Sequence, residues 1–219
     1  MNQRKDKFIP ALRFNWLTDF YDPIVALTCR EKKFKSLLAE QAAIKTNYQV
    51  LDIGSGTGTL AIHINKRCSS ALVTGIDADK KVISIANRKA DAENLNLRFI
   101  EGMAFNIPFD SNTIDRCVSS LFFHHLTTLD KERTFSEAYK VLKQGGEIHI
   151  ADWGQPTGIL MRILFYVVQF IDGFKTTSDN VKGCLPEMMK TAGFVDVMTE
   201  KNISTPLGTI SLYSAKKRE

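Results

Sequence analysis

At 219 residues, 44% hydrophobic and 24% charged, the chain has the size of one domain and enough apolar residues to build a core, which excludes intrinsic disorder. Its formal charge of +5 falls partly at the ends, where Arg4, Lys5 and Lys7 open the chain and Lys216, Lys217 and Arg218 close it. No arginine stripe interleaved with aromatics points to nucleic acid, which is therefore not an expected partner. Cys29, Cys68, Cys117 and Cys184 are scattered without zinc-ligand spacing or a disulfide framework, so no metal is expected and a reducing compartment is. The opening MNQRKDKFIP carries charge but no apolar run behind it, and a cytoplasmic address is expected.

Helical character runs from about Pro23 to Ala43, and from Gln49 onward β-branched apolar runs alternate with helix-period segments, the rhythm of βαβ units. Strands are expected at Gln49–Ile53, Leu72–Asp77, Leu97–Glu101, Ile114–Ser120, Glu147–Asp152, Val195–Glu200 and Thr209–Ser214, with helices near 58–68, 79–92, 130–142, 158–171 and 180–192. Gly145-Gly146 is expected to end one helix, Ser178 or Asp179 to cap the next, and Gly193 to close it.

The informative motif is LDIGSGTG at 51–58. Val50, Leu51 and Ile53 read as a buried parallel strand, after which Gly54, Ser55, Gly56, Thr57 and Gly58 turn the chain into a helix beginning near Thr59. Such a turn lets a ligand approach bare backbone at the positive end of a helix. A dinucleotide site would place a third glycine at position 59, where this chain has threonine. Asp52, two residues before the first glycine, suits a cationic, amino-acid-bearing ligand better than a pyrophosphate. Asp77, closing the second strand in VTGIDAD, is placed to accept hydrogen bonds from ribose hydroxyls, with helix capping as its structural alternative.

Asp52, the three glycines and Asp77, taken in order, resemble the class I S-adenosylmethionine-dependent methyltransferases. The likeness extends through IEGMAFNIPFDSNTIDRCVSS at 100–120, LKQGGEIHIADW at 142–153 and NVKGCLPEMMKTAGF at 180–194, and is strongest to the small group that includes ubiquinone and menaquinone C-methyltransferases. It implies an α/β fold, a Rossmann-like doubly wound sheet of seven strands, mostly parallel with an antiparallel final strand and helices on both faces. It also implies one methyltransferase domain over 1–219, with an N-terminal helical region, 1–46, covering the cofactor site and an apolar lid insertion at 154–178. The implied cofactor, S-adenosyl-L-methionine, would be bound by Tyr21 of the FYDP segment, Asp52, Gly54, Ser55, Gly56, Gly58, Asp77, Ala78, Met103, Ala104 and Ser119. Met103 departs from the family's usual acid in the third-strand turn, so adenine would rest there by packing.

His124 and His125 follow the fourth strand in SSLFFHHL, at the carboxyl ends of the strands where open sheets bind ligands, and are the candidate catalytic residues. His63 and His149 fall inside a helix and a strand and read as structural. Asp152 and Trp153 end the fifth strand and are candidate acceptor contacts. The apolar stretch from Ile159 to Ile171, broken only by Arg162 and Gln169, is shorter than the roughly 20 residues that span a bilayer. It reads equally as a buried helix or as a lid over an apolar acceptor at a membrane surface. The sequence thus predicts methyl transfer to a small apolar acceptor, such as a quinone precursor or lipid, by a monomer or homodimer with peripheral membrane contact. The alternative is a cofactor-binding regulatory or partner protein that keeps the fold without turnover.

Overall fold

The computed structural model describes residues 30–219. The described chain runs α1 (Glu31–Gln41), β1 (Gln49–Ile53), α2 (Thr59–Arg67), β2 (Leu72–Asp77), α3 (Lys80–Ala92), β3 (Arg98–Glu101), β4 (Ile114–Ser120), α4 (Thr128–Val141), β5 (Leu142–Trp153), α5 (Ile159–Asp172), α6 (Phe174–Val181), α7 (Leu185–Thr191), β6 (Val195–Thr205) and β7 (Gly208–Lys216). A single 3₁₀ turn, Phe123–His125, precedes α4.

The strands form one sheet in the order β3-β2-β1-β4-β5-β7-β6. β1 to β5 pair in parallel, and β7 runs antiparallel to both of its neighbours, β5 and β6. Direction of travel across the sheet reverses between β1 and β4, so the loops after these two strands part above the carboxyl edge and leave the crevice where such sheets bind ligands.

Because successive strand residues point to opposite faces, β1 feeds two cores at once. Val50 joins the layer built with Phe34 and Leu38 of α1 and Leu60 and Ile64 of α2. Leu51 and Ile53 join the layer built with Phe135 and Ala138 of α4 and Leu185 and Met189 of α7. Burial on both sides explains why these strands read as nearly unbroken apolar runs.

Local signals differ from expectation in two places. The helix before β5 ends at Val141, and β5 begins at Leu142, which pairs with Ile114; Gly145, at φ +69°, and Gly146 therefore lie within the strand as a register shift and do not terminate the helix. Ser178 and Asp179 lie inside α6 and cap nothing, because the expected helix over 180–192 is two helices. Gly183, at φ +72°, breaks them apart, and Pro186 opens the second. Gly193 does follow the last helix with positive φ, at +102°. The expected N-terminal helix is described only as α1, its earlier part and Tyr21 lying outside the described residues.

α5 and α6 are held by buried polar contacts. Gln169 donates to the hydroxyl of Thr177 at 3.1 Å, and Lys131 of α4 reaches the carbonyl of Thr176 at 2.6 Å and the carboxylate of Asp179 at 3.0 Å. Among the described residues no helix is long and apolar enough to cross a membrane.

The stack of Phe135 on Phe123, with ring centroids 4.5 Å apart and both side chains fully buried, joins α4 to the turn that carries the histidines. Phe135→Ala should lower unfolding free energy in urea by about 3–5 kcal/mol.

Candidate functional site

The carboxyl ends of β1, β2 and β3 build one half of the site. Ile76 of β2 uses its carbonyl to accept from both Gly54, at 2.9 Å, and Ser55, at 3.0 Å, which folds the glycine loop back over the sheet. Asp77 completes the clasp: Oδ2 accepts from the Gly56 amide at 2.9 Å and Oδ1 from the Asp79 amide at 3.0 Å. The capping alternative for Asp77 falls to Asp79 instead, whose side chain accepts from the Lys81 amide at the start of α3. A carboxylate offers about four acceptor positions, so Asp77 keeps roughly two for a ligand.

Gly56, at φ +51°, is the open point of the loop, since a Cβ built there would meet nothing within 4 Å. Gly54 is closed off: its Cβ would lie 2.1 Å from the ring of Phe122, so the ring occupies the space a side chain would need. Gly58 begins α2 with positive φ and packs against Phe99.

Asp52 lies under this loop, 1% exposed, and neither of its carboxylate oxygens meets a hydrogen-bond partner among the described residues. The buried hydroxyl of Ser55 is likewise unpartnered. Burial raises the pKa of Asp52 to about 7, Lys35 of α1 partly opposes this, and the charge of Asp77 adds to it. A buried carboxylate without a directly paired counter-charge is costly, and a cation bound against it would lower that cost. Lys35 is itself tied to Glu31 and to the Thr59 hydroxyl, which anchors α1 beside the loop.

Just after the third strand, the Gly102 amide donates to the Asp77 carbonyl at 2.9 Å and ties the turn that carries half-buried Met103 and buried Ala104 to the end of β2. Ser119 is differently engaged. Fully buried, it donates its hydroxyl to the Ile53 carbonyl at 2.7 Å and braces β1 against β4, leaving that proton no freedom to reach a ligand.

The second half of the site gathers around the turn after β4. Leu121 enters it at φ +50°, a strained value for a residue with a branched side chain. Asp152, fully buried at the end of β5, was expected to face the acceptor, but its carboxylate is saturated from inside the protein. Oδ2 accepts from the amides of Phe122 at 3.0 Å and Phe123 at 2.7 Å, and Oδ1 from the Trp153 amide at 2.7 Å, His124 Nδ1 at 2.6 Å and Asn180 Nδ2 at 3.3 Å. It holds the turn and does not reach into the crevice. Trp153 is also buried, its ring edge-on to Phe165 of α5 at 5.3 Å, so it packs in the core beneath that helix.

His124 lies between two carboxylates, with Nδ1 on Asp152 and Nε2 3.5 Å from Asp172 Oδ2. Burial opposes its charge, but Asp152 and then Asp172 outweigh that and lift its pKa to about 9. His125 is the opposite case: burial, reinforced by the His124 ring 3.9 Å away, lowers its pKa to about 4. Two adjacent imidazoles are thereby driven to opposite states, one charged and one neutral, which is how paired titrating groups acquire different roles. Nε2 of His125 is buried and unpartnered among the described residues. Donor atoms of His124, His125 and Asp172 lie within 4.8 Å of one another. Since both nitrogens of His124 already face carboxylate oxygens, protons satisfy the group without an ion.

Asp172 and Phe122 escaped the linear reading. An acid closing an apolar run was the available signal for the first, and nothing marked the second.

The chain matches a family model described as "Methyltransferase domain" over residues 50–146. It is 29% identical over 163 residues to a demethylmenaquinone methyltransferase of Thermus thermophilus, covering 72% of this chain and 73% of that protein. With a demethylmenaquinone methyltransferase of Lactobacillus johnsonii it shares 27% identity over 208 residues, 86% of this chain and 82% of the other. The fold superposes with a TM-score of 0.70 on Haemonchus contortus phosphoethanolamine N-methyltransferase 2 solved with S-adenosylhomocysteine, at 17% identity and over 85% of this chain and 53% of that one. The protein is an S-adenosylmethionine-dependent methyltransferase. Within that class it resembles the demethylmenaquinone and ubiquinone/menaquinone C-methyltransferases. S-adenosylmethionine is its cofactor, and the orphaned Asp52 carboxylate and the open backbone at Gly56 fit a cationic amino-acid-bearing ligand.

Since Asp52 has a folded-state pKa above its unfolded value, ionising it destabilises the cofactor-free protein, an effect absent below about pH 4 and complete above about pH 7. Asp52→Asn should therefore raise the thermal midpoint of the cofactor-free chain at pH 8 and change it little at pH 4. Calorimetry should show wild-type affinity for S-adenosylmethionine strengthening from pH 5.5 to 7.5, and a pH-flat variant at least about tenfold weaker at pH 7.5.

Proposed function

We propose that this methyltransferase acts on a small apolar acceptor of the quinol type, at a lipid surface, in the cytoplasm. The observation that carries the acceptor class is α5. Ile159, Leu160, Ile163, Val167, Phe170 and Ile171 are all exposed on it, while the same helix buries Phe165 and Val168 against the sheet and brings Asp172 to the histidines. A helix apolar on its outer side, ending at the transfer site, suits an acceptor that travels in lipid. The names of the relatives in Thermus thermophilus and Lactobacillus johnsonii support the same substrate class.

Bound S-adenosylmethionine supplies a methyl group already activated on a sulfonium sulfur. The protein's part is to bind, align and dry the site. Asp52 and Ser55 would hold the amino-acid end of the cofactor, the Gly54–Gly58 loop would carry its backbone contacts, and Asp77 with Ala78 would take the ribose. Met103 and Ala104 would pack against adenine; Tyr21, the remaining candidate for binding the cofactor, lies outside the described residues. Trp153 and Phe165 pack in the core beneath α5.

His125 is the group placed to accept a proton from the acceptor. It is neutral over the physiological range, and its Nε2 is without a partner among the described residues. His124, held charged by Asp152 and Asp172, adds like-charge repulsion to the burial that keeps its neighbour neutral. Because the sulfonium is already activated, removal of the base should slow the reaction without abolishing binding. The enzyme would work as a monomer or homodimer, touching the bilayer peripherally and without recourse to nucleic acid.

Assay of the full chain with a short-chain demethylmenaquinol, a peptide pool and total RNA should give methyl transfer to the quinol alone; transfer confined to peptide or RNA would overturn the reading. With that acceptor, His125→Asn should lower kcat by about 100-fold or more and leave S-adenosylmethionine affinity unchanged. Phe170→Glu combined with Ile163→Glu should abolish cosedimentation with phosphatidylethanolamine/phosphatidylglycerol vesicles.

A further inference from the structure

Asp172 faces both histidines with a different oxygen for each. Oδ2 lies 3.5 Å from His124 Nε2, and Oδ1 lies 4.0 Å from His125 Nδ1. Its side chain is 11% exposed, and despite burial its carboxyl is held below the usual range, first by the contact with the charged His124. At 4.0 Å the second contact is electrostatic and too long for a hydrogen bond, yet in a desolvated setting it still decides where a neutral imidazole keeps its one proton. A carboxylate beside Nδ1 favours the proton there and leaves the lone pair on Nε2.

We propose that Asp172 is a positioning residue that fixes the Nδ1–H tautomer of His125, so that the apolar helix α5 supplies the group that aims the base at the acceptor. The surrounding charges do not offer a substitute. Asp152 of β5 is consumed by His124, the turn amides and Asn180. Lys131 of α4 is paired with Asp179 of α6. Only Asp172 of the described carboxylates is placed within 4 Å of His125. Seating of α5 and readiness of the base are therefore one event: a molecule whose α5 is displaced loses the tautomer preference along with the wall over the acceptor.

This inference rests on the role proposed above for His125, but its decisive test needs no acceptor. The full chain, labelled with ¹⁵N-histidine and saturated with S-adenosylhomocysteine, is studied by long-range ¹H–¹⁵N correlation at pH 7, with His125→Asn assigning the signal. His125 should show a protonated Nδ1 and a lone-pair Nε2, and His124 an imidazolium. Asp172→Asn should turn His125 into a tautomer mixture and lower the His124 pKa by about one unit or more, with S-adenosylhomocysteine affinity nearly unchanged and the thermal midpoint lowered by a few degrees as the pKa loss requires. Asp172→Glu should restore the wild-type pattern.

An Nε2–H tautomer in the wild type, or an unaltered His125 spectrum in Asp172→Asn, would overturn the assignment. So would loss of the His124 imidazolium signals on adding one equivalent of Zn²⁺, which would make the cluster a metal site. Methylation of the short-chain demethylmenaquinol by Asp172→Asn should fall in kcat by about tenfold or more at unchanged KM for S-adenosylmethionine. If the spectra change as described and the quinol is not a substrate, the role of Asp172 stands and the acceptor class falls.

Discussion

The carboxylate of Asp152 is the point on which the second half of the site depends. Its five donors come from the turn after β4, from the end of β5 and from α6. A buried charge of this kind is tolerated because every acceptor position is used and His124 carries the compensating proton. Remove the carboxylate and three elements lose their common reference at once: the strained entry at Leu121, the orientation of His124, and the seat of α6 through Asn180. Stability here and geometry there are the same set of hydrogen bonds.

Asp52 illustrates the opposite use of a buried acid. Where Asp152 is saturated, Asp52 is left without partners among the described residues. The first is an internal strut and the second a socket. Both lie at strand ends and both looked functional in the linear sequence, but only the count of donors around each carboxylate separates them. That count distinguishes the two halves even though both contain carboxylates: at the turn the acceptor positions of Asp152 are taken up by His124, three amides and Asn180, whereas those of Asp52 are open.

The sheet was largely legible because strands buried on both faces must be apolar throughout, and β1, β2 and β4 have the bounds their runs of Val, Leu and Ile suggest. β6 was underestimated, ending at Thr205 where apolar pattern suggested Glu200. It is an edge strand with one neighbour, and most of its residues are exposed, so nothing in its hydrophobicity marks where pairing with β7 stops. The double glycine at 145–146 misled for a related reason, since a glycine in a strand can record a register shift as well as a helix end. On the cofactor side, contacts lie within a short span and carry a local signature. On the acceptor side, Asp172 is 47 residues from His125, and no spacing rule connects an acid at the end of one helix with a 3₁₀ turn three elements earlier.

Phe122 belongs to the histidine turn, yet its ring fills the space beside Gly54 that any side chain would need. The glycine loop and the histidine turn therefore meet at one aromatic ring. A change made by reshaping residues 121–127 would be transmitted directly to the loop. The two segments cannot diverge independently: variation in either has to preserve this ring or a replacement of closely similar shape.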